Sequence, residues 1–229
     1  MSIENTRTTR VAYILDKSGS MGVCREQAIQ GTNDYFAALA AEDPDTRVSV
    51  TLFDTDVYHV ISGVPVREIT QLTAVDYVPN GGTALFDAVG STIVATENEQ
   101  GEDDIVMVVI FTDGEENSSC ELSREQLVSM IKDREESRGW NFVFLGANQD
   151  AWTSAESIGI SQSRSANYPQ FATRAAMAKS GRLHSRFLKQ AKESVGAPME
   201  FHMDAQSIDD IDENDQDLPN QWKRRGGKK

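Results

Sequence analysis

The chain has 229 residues and a formal net charge of −14, from 36 acids against 22 bases. That length supports one sizeable domain with an appendage rather than two full domains. The negative field argues against a general binder of nucleic acid or of anionic membrane. Cys24 and Cys120 cannot build a disulfide framework and show no metal-ligand spacing; a cysteine such as Cys24 near a helix start reads as structural or as a reactive thiol. The run from Ile105 to Phe111 is too short to span a bilayer. The first residues contain no apolar signal core, so a soluble, cytoplasmic chain is expected.

Residues 10–15 read as a buried strand, and Cys24 to Ala41 shows helical spacing through Ala28, Ile29, Tyr35, Phe36 and Leu39. Asp43-Pro44-Asp45 stops that helix. Arg47 to Phe53 alternates, and Val57 to Ile61 follows after Asp54-Thr55-Asp56, which predicts a hairpin and one antiparallel edge strand. Asp54 and Asp56 read as turn aspartates. Residues 63–80 look irregular, with a short helical piece from Val66 to Leu72. Ala84 to Glu99 is a predicted helix, 105–111 a buried strand, and Ser123 to Ser137 a helix opened by the capping-box pattern Ser123-x-x-Gln126. Trp140 to Leu145 reads as a strand and Asn148 to Ser157 as a helix. This alternation predicts an α/β domain over residues 8–160, doubly wound around a mainly parallel sheet. No Gly-x-Gly-x-x-Gly or P-loop follows a strand, so nucleotide binding has no sequence support.

Two further segments follow. Residues 161–200 form a basic helical extension, where Leu183, Phe187, Leu188, Ala191 and Val195 recur at helical spacing beside Arg182, Arg186, Lys189 and Lys192. It either docks its apolar side on the helical layer or serves as a partner-binding or nucleic-acid-contacting arm. Residues 201–229 are acidic and then basic, and too poor in apolar side chains to order themselves.

The stretch with most chemical content is Leu15-Asp16-Lys17-Ser18-Gly19-Ser20-Met21-Gly22, predicted at the carboxyl end of the first strand, where open α/β sheets bind ligands. Asp16, Ser18 and Ser20 offer hard oxygen donors, too few to encage a cation but suited to Mg²⁺ or Mn²⁺ with their retained waters. A serine-rich turn capping the next helix would use the same residues. Downstream, Thr83 follows the pair Gly81-Gly82 at a helix start, and the strand ending at Phe111 runs into Thr112-Asp113-Gly114.

With those three motifs in that order, the chain resembles a von Willebrand factor A domain carrying a metal-ion-dependent adhesion site, over about residues 8 to 160. The resemblance implies a Rossmann-like fold and a cation site of Asp16, Ser18, Ser20, Thr83 and Asp113. It also implies a function as a metal-dependent adaptor, with an acidic side chain of a protein partner completing the coordination of Mg²⁺ or Mn²⁺. Lys17, Met21, Asn80, Glu115, Glu116 and Asn117 would ring the metal. If Glu115 and Glu116 face the partner rather than solvent, they would favour an acid set in a basic rim. The chain looks more like intracellular bacterial or phage members of the family, which act beside ATPases, kinases or phosphatases; fold-level likeness does not choose among them.

Two other readings stand beside this one. A Mg²⁺-dependent phosphatase or hydrolase would want an acid at position 18, where serine stands, and no Gly-x-Ser-x-Gly elbow is present. His59, His184 and His202 lie outside the three motifs. A nucleic-acid-associated role would run through the basic helix.

Overall fold

The structure is a computed structural model describing residues 7–147, 151–194 and 199–203. Strand β1 (Thr9–Asp16) leads through a short 3-10 turn, Gly19–Cys24, into helix α1 (Arg25–Glu42). The hairpin β2 (Arg47–Phe53) and β3 (Val57–Pro65) follows, then α2 (Leu85–Glu99), β4 (Ile105–Thr112) and α3 (Arg124–Arg138). β5 (Asn141–Gly146), α4 (Ala151–Ser157), β6 (Ser165–Asn167) and α5 (Thr173–Glu193) complete the order. The six strands lie in the order β3-β2-β1-β4-β5-β6, with β3 alone antiparallel to its neighbour. This is the doubly wound, mainly parallel sheet with an antiparallel edge that the alternating pattern predicts.

The two-residue period of β1 sorts the core into two layers. Val11, Tyr13 and Leu15 join α1 and α5 on one face, while Ala12 and Ile14 join α2, α3 and α4 on the other. β4 is buried along its whole length, as a strand covered on both sides must be. The predicted capping box is present: Ser123 Oγ accepts the Gln126 amide, and Gln126 Oε1 accepts the Ser123 amide.

Three stretches differ from expectation. Only Val66–Glu68 is helical in the segment leading to Thr83. Its backbone is held by side chains instead: Asn33 bonds both the amide and the carbonyl of Leu72, and Arg25 reaches the carbonyls of Ala74 and Tyr77. The sheet runs past residue 160, because Ser165–Asn167 pairs in parallel with β5 as the sixth strand. The basic helix begins at Thr173 and packs along α1, so it is a layer of the domain rather than an appendage. Small residues permit that contact: a Cβ at Gly181 would lie 2.9 Å from the Tyr35 backbone, and one at Gly31 would lie 2.9 Å from Met177 Cβ. Three basic residues of α5 are matched to acids, in Arg174–Asp34 and Lys189–Glu42 with α1, and to Asp43 through Lys192. Among the described residues no helix is long and apolar enough to cross a membrane. The expected helix start at 148–150, Val195 and the tail from 204 onward lie outside the described residues.

Candidate metal centre

The strand order reverses between β1 and β4, so the loops leaving these two strands diverge and open a crevice at their carboxyl ends. β1 ends in Asp16, whose carbonyl accepts the buried Tyr77 hydroxyl at 2.5 Å. The Asp16 side chain is fully buried; one oxygen accepts the Ser18 amide at 2.6 Å and the other the Thr112 hydroxyl at 2.5 Å. The turn so imposed brings Ser18 Oγ to 3.1 Å from Ser20 Oγ, and the Ser20 hydroxyl donates to Asp113 at 2.6 Å. Asp113 leaves β4 directly, and its second oxygen accepts the Gln170 side-chain amide at 3.1 Å.

Thr83 arrives from the other side of the crevice. The loop before it is pinned to the Asp16 turn by bonds from Asn80 N to Lys17 O (2.8 Å) and Gly19 N to Gly81 O (3.1 Å). Asn117 holds Thr83 itself, its side chain accepting the Thr83 amide at 2.9 Å while its own amide donates to the Thr83 carbonyl at 3.0 Å. The hollow these groups share is measured by Gly114. A Cβ there would lie 2.9 Å from Thr83 Oγ1 and 3.7 Å from both Asp16 Oδ2 and Ser20 Oγ. Asp16, Ser18, Thr83 and Asp113 are buried around this hollow and Ser20 is exposed at its mouth.

The charges are set by burial. Desolvation pushes the Asp16 carboxyl up to about 6, against the hydrogen bonds from Thr112 and Ser18, with neighbouring Asp113 adding to the rise. Burial also raises Asp113, opposed by Ser20 and Gln170. Lys17, the nearest cation in sequence, is committed to Asp54 and stacks 4.3 Å from the Tyr58 ring. Among the described residues no three acids, histidines or cysteines converge. This cluster has two acids and completes itself with hydroxyls, a hard-oxygen donor set suited to Mg²⁺ or Mn²⁺.

The expected rim is only partly a rim. Met21 is fully buried in the core against α1 and cannot face a partner. Glu116 turns inward, accepting the amides of Phe86, Ser118 and Ser119, and so caps the start of α2. Asn117 is spent partly on Thr83, and Asn80 and Glu115 are exposed. Asp54 and Asp56 form a turn, with Asp54 accepting the Asp56 amide at 2.9 Å. His59 bonds Thr51 and His184 bonds Tyr35, both away from the cluster.

Several residues that build the site have no assigned part in the motifs. Gln170 comes from the segment between β6 and α5, and Thr112, though it stands in the third motif, is assigned no role there and is the donor that holds Asp16. Asp87, buried in the first turn of α2, accepts the amides of Cys120, Glu121 and Leu122 and fixes the loop after Asp113. Its one sequence signal is an acid interrupting the apolar run Ala84-Leu85-Phe86.

A family model for the von Willebrand factor type A domain matches residues 11–180. The chain belongs to that family. The match extends through β6 and into α5, in agreement with the sheet and the helical layer described above. No curated protein matches the sequence significantly. Among solved structures, a variant of the PilB minor pilin from Streptococcus sanguinis is similar with a TM-score of 0.62 at 12% identity, over 86% of this chain and 65% of the pilin. A von Willebrand factor type A protein from Catenulispora acidiphila gives 0.56 at 14% identity, over 80% of this chain and 43% of that one. The manganese-loaded TRAP protein of Plasmodium vivax gives 0.57 at 18% identity, over 77% of this chain and 74% of TRAP. At these identities the likeness is one of fold.

Proposed function

We propose that this domain is a metal-dependent protein-binding module, in which Asp16, Ser18, Ser20, Thr83 and Asp113 hold Mg²⁺ or Mn²⁺ and a partner carboxylate completes the site. The observation that carries the reading is the convergence of Thr83, Asp16 and Ser20 on the Gly114 hollow, with Ser18 and Asp113 hydrogen-bonded to the same group. The manganese found in the TRAP structure supports the choice of ion class. When bound, the cation supplies an electrophilic centre for an incoming carboxylate, since three of its protein donors are neutral hydroxyls. Asp16 orients Ser18 through the backbone and is itself held by Thr112; Asp113 orients Ser20; Asn117 fixes Thr83.

The same geometry supports binding over hydrolysis. Asp16 has both oxygens engaged and is fully buried, so it is poorly placed to attack a substrate. The packing of α5 along α1 and the pairing of Arg174 and Lys189 with α1 acids weigh against a nucleic-acid arm. Cys24 and Cys120 are free thiols, which supports a reducing, intracellular setting. Calorimetric titration of the full chain with Mn²⁺ and Mg²⁺ tests the reading: saturable binding is expected for the wild type and none for Asp16→Ala or Asp113→Ala. Equal titrations in wild type and both variants would overturn the site.

A further inference from the structure

Three of the segments around the candidate metal centre differ in charge from the rest of the molecule. Charged residues make up 25% of the chain. Yet residues 18–24, 78–86 and 165–173, which carry Ser18, Ser20, Thr83 and Gln170, contain not one Asp, Glu, Lys or Arg. Arg25, just past the first of them, is turned onto the carbonyls of Ala74 and Tyr77.

Each of these loops instead exposes an apolar side chain. Val23 is 76% exposed, Val78 55% and Phe171 67%, although Met21, Tyr77 and Ala172 beside them are buried. Their placement is fixed by contacts already made to the site. The turn Gly19–Cys24 packs against the turn Gln170–Ala172. Gln170 on the second turn holds Asp113 while its neighbour Phe171 faces outward. Val78 lies on the loop that bonds Lys17 and Gly19. With Glu116 folded onto α2, the exposed charges left by the loop after Asp113 are Glu115 and Glu121.

We infer that Val23, Val78 and Phe171 form an apolar collar around the metal centre, and that the partner is a protein segment whose acidic residue is flanked by aliphatic or aromatic side chains. The inference rests on the metal-dependent reading above and narrows its partner. A chain of net charge −14 repels an acidic partner at long range, so a carboxylate is best admitted over the three segments that carry no like charge. Burying Phe171 and the two valines then adds an area-dependent attraction that a bare ion contact lacks. A partner coated in bases would find Glu115 and, further along the same loop, Glu121, but no acid on the three segments that carry the collar.

The test uses the full chain and a displayed library of linear peptides with one fixed central Asp or Glu, selected in Mg²⁺ and counter-selected in chelator. Mg²⁺-dependent binders enriched in apolar residues within two positions of the acid are expected. Phe171→Ser and Val23→Ser should weaken those binders at least tenfold while Mn²⁺ affinity, read by calorimetry without any peptide, stays within twofold. Enrichment of Lys or Arg beside the acid, with binding lost in Glu115→Gln and kept in Phe171→Ser, overturns the collar and leaves the metal reading standing. Absence of any Mg²⁺-dependent binder, together with no Mn²⁺ heat, overturns the metal reading itself and the collar with it.

Discussion

β1 feeds two buried polar clusters that have opposite characters. At Tyr13 the strand looks into the α1–α5 layer: its hydroxyl meets Thr32 at 2.9 Å, Tyr35 meets His184 at 2.9 Å, and the two tyrosine rings lie 5.0 Å apart. Burial raises both tyrosines well above their usual range and pushes His184 down to about 3, so the cluster is neutral at physiological pH. At Asp16, three residues further on, the strand delivers a raised carboxyl to a crevice lined with hydroxyls, where it meets the raised Asp113 from the end of β4. Neutral polar groups paired with each other serve packing. Carboxylates buried beside each other destabilise the domain by themselves and are retained for what they bind.

The largest expected effect breaks the first cluster and spares the second. Gly181→Val places a branched side chain where even a Cβ lies 2.9 Å from the Tyr35 backbone, and no flexible group can move aside. Overpacking of this kind costs about 3 kcal/mol, measurable as a lower midpoint in urea at unchanged slope. A loss below about 1 kcal/mol would mean that α1 and α5 can separate without penalty. Metal affinity of the folded fraction should not change.

Asp16→Asn makes the converse cut. The amide is isosteric and removes the buried charge, so the metal-free variant should unfold no earlier than wild type at neutral pH. Its affinity for Mg²⁺ should fall by about a hundredfold, a difference of about 2.7 kcal/mol. A variant that binds metal normally yet is destabilised would move Asp16 into the packing class.

The pH dependence distinguishes the clusters again. Asp16 has a folded value near 6 against an ordinary 3.8, so the folded chain holds this proton more tightly. Its contribution to metal-free stability is therefore present below about 4 and lost as pH rises through about 6. Metal competes for the deprotonated form, so the rise in thermal midpoint on adding Mg²⁺ should grow from pH 5 to pH 7 and then level off. A metal-induced shift independent of pH over that window would contradict the assignment. His184 adds nothing in this range, because its value lies below the window.

How far each cluster was legible in sequence follows from the same contrast. The Asp16 and Asp113 motifs stand out because charge and hydroxyls follow apolar strands at their carboxyl ends, and Thr83 because it follows a glycine pair at a helix start. The alternation of strands and helices was equally plain. β6 was not, since Ser165-Ala166-Asn167 is short and polar and is a strand only through pairing with β5. The buried face of the first half of α5 was hidden because Ala176, Ser180 and Gly181 bury small or polar side chains, which no apolar period reveals. Met21 and Glu116 were misplaced for a shared reason: side-chain direction in a loop depends on the neighbours it meets, the core for one and the α2 amides for the other.

Tyr77 joins the two clusters and gives the smallest predicted effect. Its ring is buried in the α1 layer while its hydroxyl donates to the Asp16 carbonyl at 2.5 Å. Tyr77→Phe keeps the ring and removes one buried hydrogen bond, leaving the Asp16 carbonyl without this donor. Such a loss costs about 1 kcal/mol. Because the Asp16 carboxylate is held separately by Ser18 and Thr112, Mn²⁺ affinity should change less than threefold. If instead stability is unchanged and metal binding collapses, Tyr77 positions the site rather than supporting the core. The backbone at the end of β1, and not the carboxylate's own partners, would then be what holds the crevice in shape.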